Sequence, residues 1–336
     1  MDTYPGSITD VPGILVGHAQ NAEALTGCSV VICEQGATGG VDQRGGAPGT
    51  RETDALRPMH LVEKIHAVVL SGGSAFGLSA ASGAMRWLAE KGIGFPTGVV
   101  PVPIVASAIL FDLGIGDPTI YPDEAMGYHA CQQAVSAPPT QGNAGAGTGA
   151  TAGKILGMSQ AMKSGIGTAS MYLSGGIVIG ALVAVNPLGD VIDPESGKIL
   201  CGARTLKKGP VQIGKSSVFA DTLAVMNSLA GRSILHFAAR QNTVIGVVAT
   251  NAKLSKEQAN YVAMMAQDGL AMSIRPAHTL LDGDTLFVMA TGEKRADPNI
   301  IGAYSAQVVA RAIVNAVLYA QPVGGIPCAG DYLSKS

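Results

Sequence analysis

The sequence predicts a layered α/β fold, and three observations carry that prediction. Ile177 to Val185, Val244 to Ala249 and Thr285 to Ala290 are apolar runs rich in β-branched residues, the pattern of strands covered on both faces. Segments with apolar residues at helical spacing lie before, between and after them. Charge is sparse: of 336 residues, 47% are hydrophobic, 14% charged and 4% aromatic, with 45 glycines. So little charge argues against disorder and implies that much surface is hidden, inside layers or between subunits.

The same composition narrows the function classes. A net charge of −2 leaves no basic footprint for nucleic acid. The longest uncharged run, Gly92 to Phe111, has the length of a membrane span, but Pro96, Pro101 and Pro103 interrupt it, so it reads as buried loop and strand. The N-terminus lacks the basic start and apolar core of a signal peptide, which makes a cytoplasmic location the expectation. The five cysteines are scattered and form no CxxC pair, against a zinc ribbon or a disulfide framework. No metal or cofactor is expected.

In chain order, Gly13 to Val16 and Ser29 to Cys33 read as short strands. Residues 36–53 are glycine-dense and carry the first charge cluster (Asp42, Arg44, Arg51, Glu52), which reads as a long loop. A strand at Ile65 to Leu70 leads through Ser71-Gly72-Gly73-Ser74 into a helix whose inward stripe is Phe76, Leu78, Ala81, Ala84, Met85 and Leu88, stopped by Gly92. Gly72 to Phe76 lacks the closing glycine of a nucleophile elbow, so Ser71 and Ser74 are expected to cap the helix or bond its backbone. A strand follows at Ile104 to Leu110 and a helix at Asp123 to Ala134.

The tract Gly142 to Lys154 looks like a phosphate cradle but fails as one. A P-loop needs glycine at Thr148 and a hydroxyl at Ile155, and no strand leads into Gly147 to Ala152. Lys154 ends this run of tiny residues and is easily buried there, at a cost unless it is paired. Asn186 closes the Ile177 strand, as a turn former or as an amide donor aimed into a site. Residues 194–240 read as a basic connector with a short helix near Asp221 to Leu229. Ser255 to Gln258 is a capping box opening a helix through Leu270. Asp282-Gly283-Asp284 has the form of a turn, and Tyr304 to Tyr319 is the last helix.

Four stretches taken together carry a family likeness: Gly40 to Thr53 (GVDQRGGAPGTRET), Leu70 to Leu78 (LSGGSAFGL), Ala144 to Lys154, and His278 to Thr285 (HTLLDGDT). In this order they resemble the L-aminopeptidase/D-esterase family, which includes β-peptidyl aminopeptidases and is related to nylon-oligomer hydrolases. The resemblance spans about residues 8 to 320. It implies a four-layer α/β/β/α sandwich like that of N-terminal-nucleophile hydrolases, forming a single catalytic domain over 1–336. It also implies self-cleavage before a Ser or Thr that follows Gly or Asn, and Asn242-Thr243 fits that junction, giving chains 1–242 and 243–336.

On the same resemblance Thr243 becomes the nucleophile, Asn186 stabilises the oxyanion, and Lys154 is the lysine beside the nucleophile. Asp282 and Asp284 orient the new N-terminus and the substrate amine. The Asp-x-Asp form and the Asn-Thr junction side with the nylon hydrolases; the peptidases resemble Ser-x-Glu. Phe111 stands where relatives carry tyrosine, so a phenol bond to the intermediate is missing or comes from elsewhere, such as Tyr121 or Tyr172. Phe111, Ser74 and Tyr121 are the expected pocket residues. The implied activity is hydrolysis of short peptides, β-peptides or amino-acid amides, or of 6-aminohexanoate oligomers by endo attack. An unprocessed binding protein on the same scaffold is the rival from another class. The partners implied are a small peptide or amide and further copies of the chain, as a tetramer of αβ units, with neither nucleic acid nor membrane.

Overall fold

The computed structural model describes residues 3–208, 211–213, 218–228 and 242–333. Parts of the expected connector, including Lys215, Leu229 and residues 230–240, lie outside them. The main strands are β1 (Leu15–Asn21), β2 (Thr26–Gln43), β3 (Thr50–Arg51), β4 (Lys64–Ser71), β5 (Val105–Ile109), β6 (Ile166–Leu173), β7 (Ile177–Asn186), β8 (Thr243–Ala252) and β9 (Thr285–Lys294). The main helices are α1 (Ala80–Glu90), α2 (Glu124–Gln132), α3 (Lys256–Ala266), α4 (Asp268–Ser273) and α5 (Pro298–Leu318).

These strands form one hydrogen-bonded path, β6-β7-β8-β9-β2-β4-β5-β3, with β1 on the other side of β2. The path folds into two leaves because β2 is shared. Its first half, Cys28 to Ile32, pairs with β1 and β4, and its second half, Thr38 to Gln43, pairs with β9. A register shift between Ile32 and Ala37 marks the bend, as bulges do where sheets turn.

Period-2 alternation then explains why the strands are apolar throughout. In β8, Ile245, Val247 and Ala249 face the core between the leaves, together with Phe287 and Met289 of β9 and Val31, Val68 and Leu70 of the other leaf. Val244 and Val248 face outward to α3 and α5, with Leu286 and Val288 beside them. On the far leaf Val30, Ile32, Ala67 and Val69 pack against Ala80, Ala84 and Leu88 of α1 and Ala130 and Cys131 of α2. Three stacked cores make four layers, α/β/β/α. Each fully buried Val, Leu or Ile contributes about 1.5–3 kcal/mol, so the site is mounted on the most heavily buried part of the molecule.

Several elements differ from expectation for physical reasons. Residues 36–43 are strand, not loop; Gly39 and Gly40 sit where a Cβ would lie 2.4 Å from Leu56 and from the Ala259 backbone, so glycine there serves close packing. Phe76 is 58% exposed because Ser74 to Ser79 is a 3-10 turn, whose period of three rotates it off the inner stripe and onto Tyr121, with ring centroids 4.7 Å apart. The Ser71 hydroxyl donates to the Gly72 carbonyl, ahead of the turn; the cap position belongs to Gly73, and Ser74 lies inside the turn with φ of 53°. The Gly92 to Phe111 run is only half buried: Val99 and Val100 are exposed in a small hairpin ahead of β5. β6 was not foreseen. The helix expected from Tyr304 starts at Pro298, since Asp297 accepts from the Asn299 N–H at 2.8 Å and proline suits the first helical position.

Candidate active site

Thr243 is the first residue of β8, a strand held on one side by antiparallel β7 and on the other by parallel β9. The register sets Asn186, the last residue of β7, directly opposite Thr243. Directly opposed residues place their Cβ atoms about 4.5–5.5 Å apart on one face, so the two side chains are delivered together. The Asp282 to Asp284 turn comes in at the head of β9, where Asp282 bridges to Asn242 in the parallel sense. Lys154 arrives from the end of the glycine-rich tract, its backbone N–H donating to the Leu188 carbonyl at 3.0 Å.

All six of Lys154, Asn186, Asn242, Thr243, Asp282 and Asp284 are buried. The Thr243 hydroxyl donates to the Asn242 carbonyl oxygen, the carbonyl of the bond expected to break. Lys154 Nζ donates to Asn186 Oδ1 (2.7 Å), the Asn186 carbonyl (2.9 Å) and the Thr151 carbonyl (3.0 Å). Asn186 Oδ1 also takes the Thr151 N–H at 3.0 Å, and Asn186 Nδ2 donates to the Phe111 carbonyl at 3.0 Å. With its oxygen turned to lysine and backbone donors, the Asn186 amide is oriented NH₂-outward from that cluster.

The two aspartates serve the backbone. Asp282 accepts from the Leu188 N–H at 3.1 Å and from the Thr279 hydroxyl. Asp284 accepts from the Val244 N–H at 2.9 Å through one oxygen, and from the His278 N–H and Nδ1 at 3.0 and 2.9 Å through the other. They pin the turn to Leu188, two residues past β7, and to Val244 of β8.

Burial pulls the Lys154 ammonium down to about 7, against the opposing pull of Asp282. Burial pushes the Asp282 carboxyl up, and the neighbouring Asp284 charge adds to that. Burial by itself lowers His278, but the Asp284 hydrogen bond and charge outweigh it and the ring ends above its usual value.

Of the expected pocket residues, Phe111 does line a narrow cleft of about 10 Å³ with Asp112, Ile115, Thr151, Lys154 and Met158. It meets Asn186 through its carbonyl, so no phenol is present at that contact. Ser74 and Tyr121 lie beside Gly73, which is tied to Asp112. Tyr172 pairs with Val178, eight positions along β7 from Asn186, roughly 27 Å away at strand rise, and is exposed. Residues missed from the sequence are Thr151, His278 as a side chain, and Lys163. Lys163 is fully buried and donates to the Gly147 (2.8 Å), Ala150 (2.9 Å) and Ser164 carbonyls. The signal was available in the lysine spacing around a tract too glycine-rich to hold its own shape. Among the described residues no cluster of three or more His, Cys, Asp or Glu side chains is placed to hold a metal.

Four layers with a hydroxyl residue at the head of a central strand match the fold of N-terminal-nucleophile hydrolases. Solved structures share it. The L-aminopeptidase D-Ala-esterase/amidase from Ochrobactrum anthropi, described as a new variant among the Ntn hydrolase fold, superposes with a TM-score of 0.70 at 20% identity, covering 97% of this chain and 90% of that one. A β-aminopeptidase of Burkholderia sp. does so with a TM-score of 0.65 at 22% identity, covering 95% and 88%. The chain belongs to peptidase family S58, whose family model matches residues 6–328. An uncharacterized aminopeptidase of Mycobacterium tuberculosis (strain ATCC 25618 / H37Rv) is 41% identical, over 97% of each chain. A 6-aminohexanoate-oligomer endohydrolase of Kocuria sp. (strain KY2) is 34% identical, covering 84% of this chain and 74% of that one. The protein is thus an enzyme, a peptide hydrolase of family S58.

Proposed function

We propose that the chain cuts its own Asn242–Thr243 bond and then acts as an N-terminal-threonine aminopeptidase on short peptides, β-peptides or amino-acid amides. The observation that carries this reading is the Thr243 hydroxyl seated on the Asn242 carbonyl oxygen, opposite Asn186. A threonine hydroxyl is a poor nucleophile at neutral pH and needs a base beside it. Once Thr243 is N-terminal, its own α-amine, with an ordinary pKa of about 7.7–8.0, takes the hydroxyl proton. Lys154, held in the same cluster, disfavours a second positive charge and keeps that amine neutral. In turnover Thr243 Oγ1 attacks the substrate carbonyl, the amine leaves with a proton, and water hydrolyses the acyl ester. Asn186 supplies a side-chain donor to the oxyanion. The enzyme works in the cytoplasm as a homo-oligomer, a tetramer of αβ units, which sedimentation at micromolar concentration tests.

Denaturing mass spectrometry is the direct experiment. The reading requires the 34.0 kDa chain to give two fragments, 1–242 and 243–336; a single uncut mass after prolonged incubation overturns it in favour of an unprocessed binding protein. The second reading, endo attack on 6-aminohexanoate oligomers, is favoured by the Asp282-Gly283-Asp284 form and the Asn-Thr junction. A panel of β-alanyl, α-aminoacyl and 6-aminohexanoyl amides separates the two.

A further inference from the structure

We infer that the backbone N–H of Gly283 is an oxyanion donor of this enzyme, acting in self-cleavage and again in turnover, and that Asp282 and Asp284 are the positioning residues that aim it. The inference rests on the proposed cleavage and adds the group that stabilises its charge. The Gly283 N–H donates to the Asn242 carbonyl oxygen at 3.0 Å, the same oxygen that receives the Thr243 hydroxyl. When Thr243 Oγ1 forms its bond to the Asn242 carbon, its proton departs and the carbonyl electron pair moves onto that oxygen. Collapse breaks the bond to the Thr243 nitrogen, which takes up a proton as the free amine, and water then opens the ester. The negative charge therefore develops where Gly283 already points, within the 2.7–3.1 Å range of an effective donor.

The surroundings fix this donor before reaction. The Asp282 carboxylate ties the turn to Leu188, its carbonyl takes the Ala47 N–H at 2.9 Å, and Asp284 ties the far side to Val244 and His278. Residue 283 itself has no room for a side chain. A Cβ there would sit 2.5 Å from the Ala47 carbonyl oxygen and 2.9 Å from Thr243 Oγ1. His278 holds a left-handed backbone, φ 58°, which places both its N–H and its ring on Asp284. A substrate carbonyl attacked by the same Oγ1 takes the place of the Asn242 carbonyl, so its oxygen meets the same N–H. This donor stands in for the phenol that Phe111 does not provide.

An ordinary bridge bond just ahead of β8 and β9 is the alternative, and it affects stability without affecting rate. Installing glycolic acid at position 283 by nonsense suppression replaces the N–H with oxygen and leaves the side-chain space unchanged. The wild type is expected to cleave and the ester chain to cleave about 10²–10³-fold more slowly, while both, in a Thr243→Ala background, keep similar unfolding midpoints. Cleavage of the ester chain at the wild-type rate overturns the inference; an uncut wild type overturns the processing reading beneath it. Should the ester chain not fold, the Thr243→Ala chain labelled with ¹³C at the Asn242 carbonyl provides a second readout. An infrared stretch as high as that of an unbonded amide then overturns the inference.

Discussion

Lys154 and Lys163 are two buried ammonium groups nine positions apart, both pulled down to about 7 by burial, and they do different work. Lys154 bonds Asn186 and, on the proposed reading, governs charge beside Thr243; Lys163 bonds the Gly147 and Ala150 carbonyls of the glycine tract and the Ser164 carbonyl, and touches no reacting atom. Lys154→Met is expected to raise the Thr243 amine toward its ordinary value, so the rising acid limb of kcat/KM against pH moves upward; a pH–rate profile on processed enzyme checks this. Lys163→Met is expected to cost about 1–3 kcal/mol, read by urea unfolding, since the Gly147, Ala150 and Ser164 carbonyls lose a donor while the first two keep the Ala150 and Ser164 N–H groups. Its linkage has a definite sign. Between about 7 and an unfolded value near 10.4 the unfolded chain binds more protons, so Lys163 makes stability rise with pH, and the variant's rise is shallower. Asn186→Ala is expected to slow turnover about 10²–10³-fold in steady-state assays. Thr243 and Asn186 were legible in the sequence only through the family likeness. In isolation they are a strand-starting threonine and a turn-forming asparagine, and their meeting depends on a register set by the whole of β7 and β8.

At the level of elements, buried strands and the capping-box helix were legible because each announces itself locally, through period and composition. The second half of β2 was not, since its glycines read as loop; what they do is let α3 and Leu56 approach the strand. The same logic acts where α5 lies on β6. A Cβ at Gly167 would fall 2.1 Å from the Ala312 carbonyl oxygen of α5, an overlap with rigid backbone. Gly167→Ala is therefore expected to cost roughly 1–3 kcal/mol as helix and sheet part, measured as a lower urea midpoint. Self-cleavage at Thr243 is expected to slow as well, because Gly167 pairs with Val183, three positions before Asn186 on β7.

For the molecule as a whole, four layers were implied by resemblance and by no single stretch, because closure runs through one long strand pairing with partners from both ends of the chain. That strand has a consequence for the product of the proposed cleavage. The 243–336 segment contributes β8 to the middle of the sheet between β7 and β9, and β9 in turn lies against β2. Each segment thus supplies strands that the other needs as neighbours, and α5 covers β6 and β7 of the longer one. The segments are expected to co-elute in native size exclusion and to part only in denaturant; separation in native buffer would show the interleaving to be wrong. Read as engineering, the junction is a ready-made split site: two polypeptides ending at 242 and beginning at 243, made apart and refolded together, should reconstitute an active enzyme that has never performed its own scission.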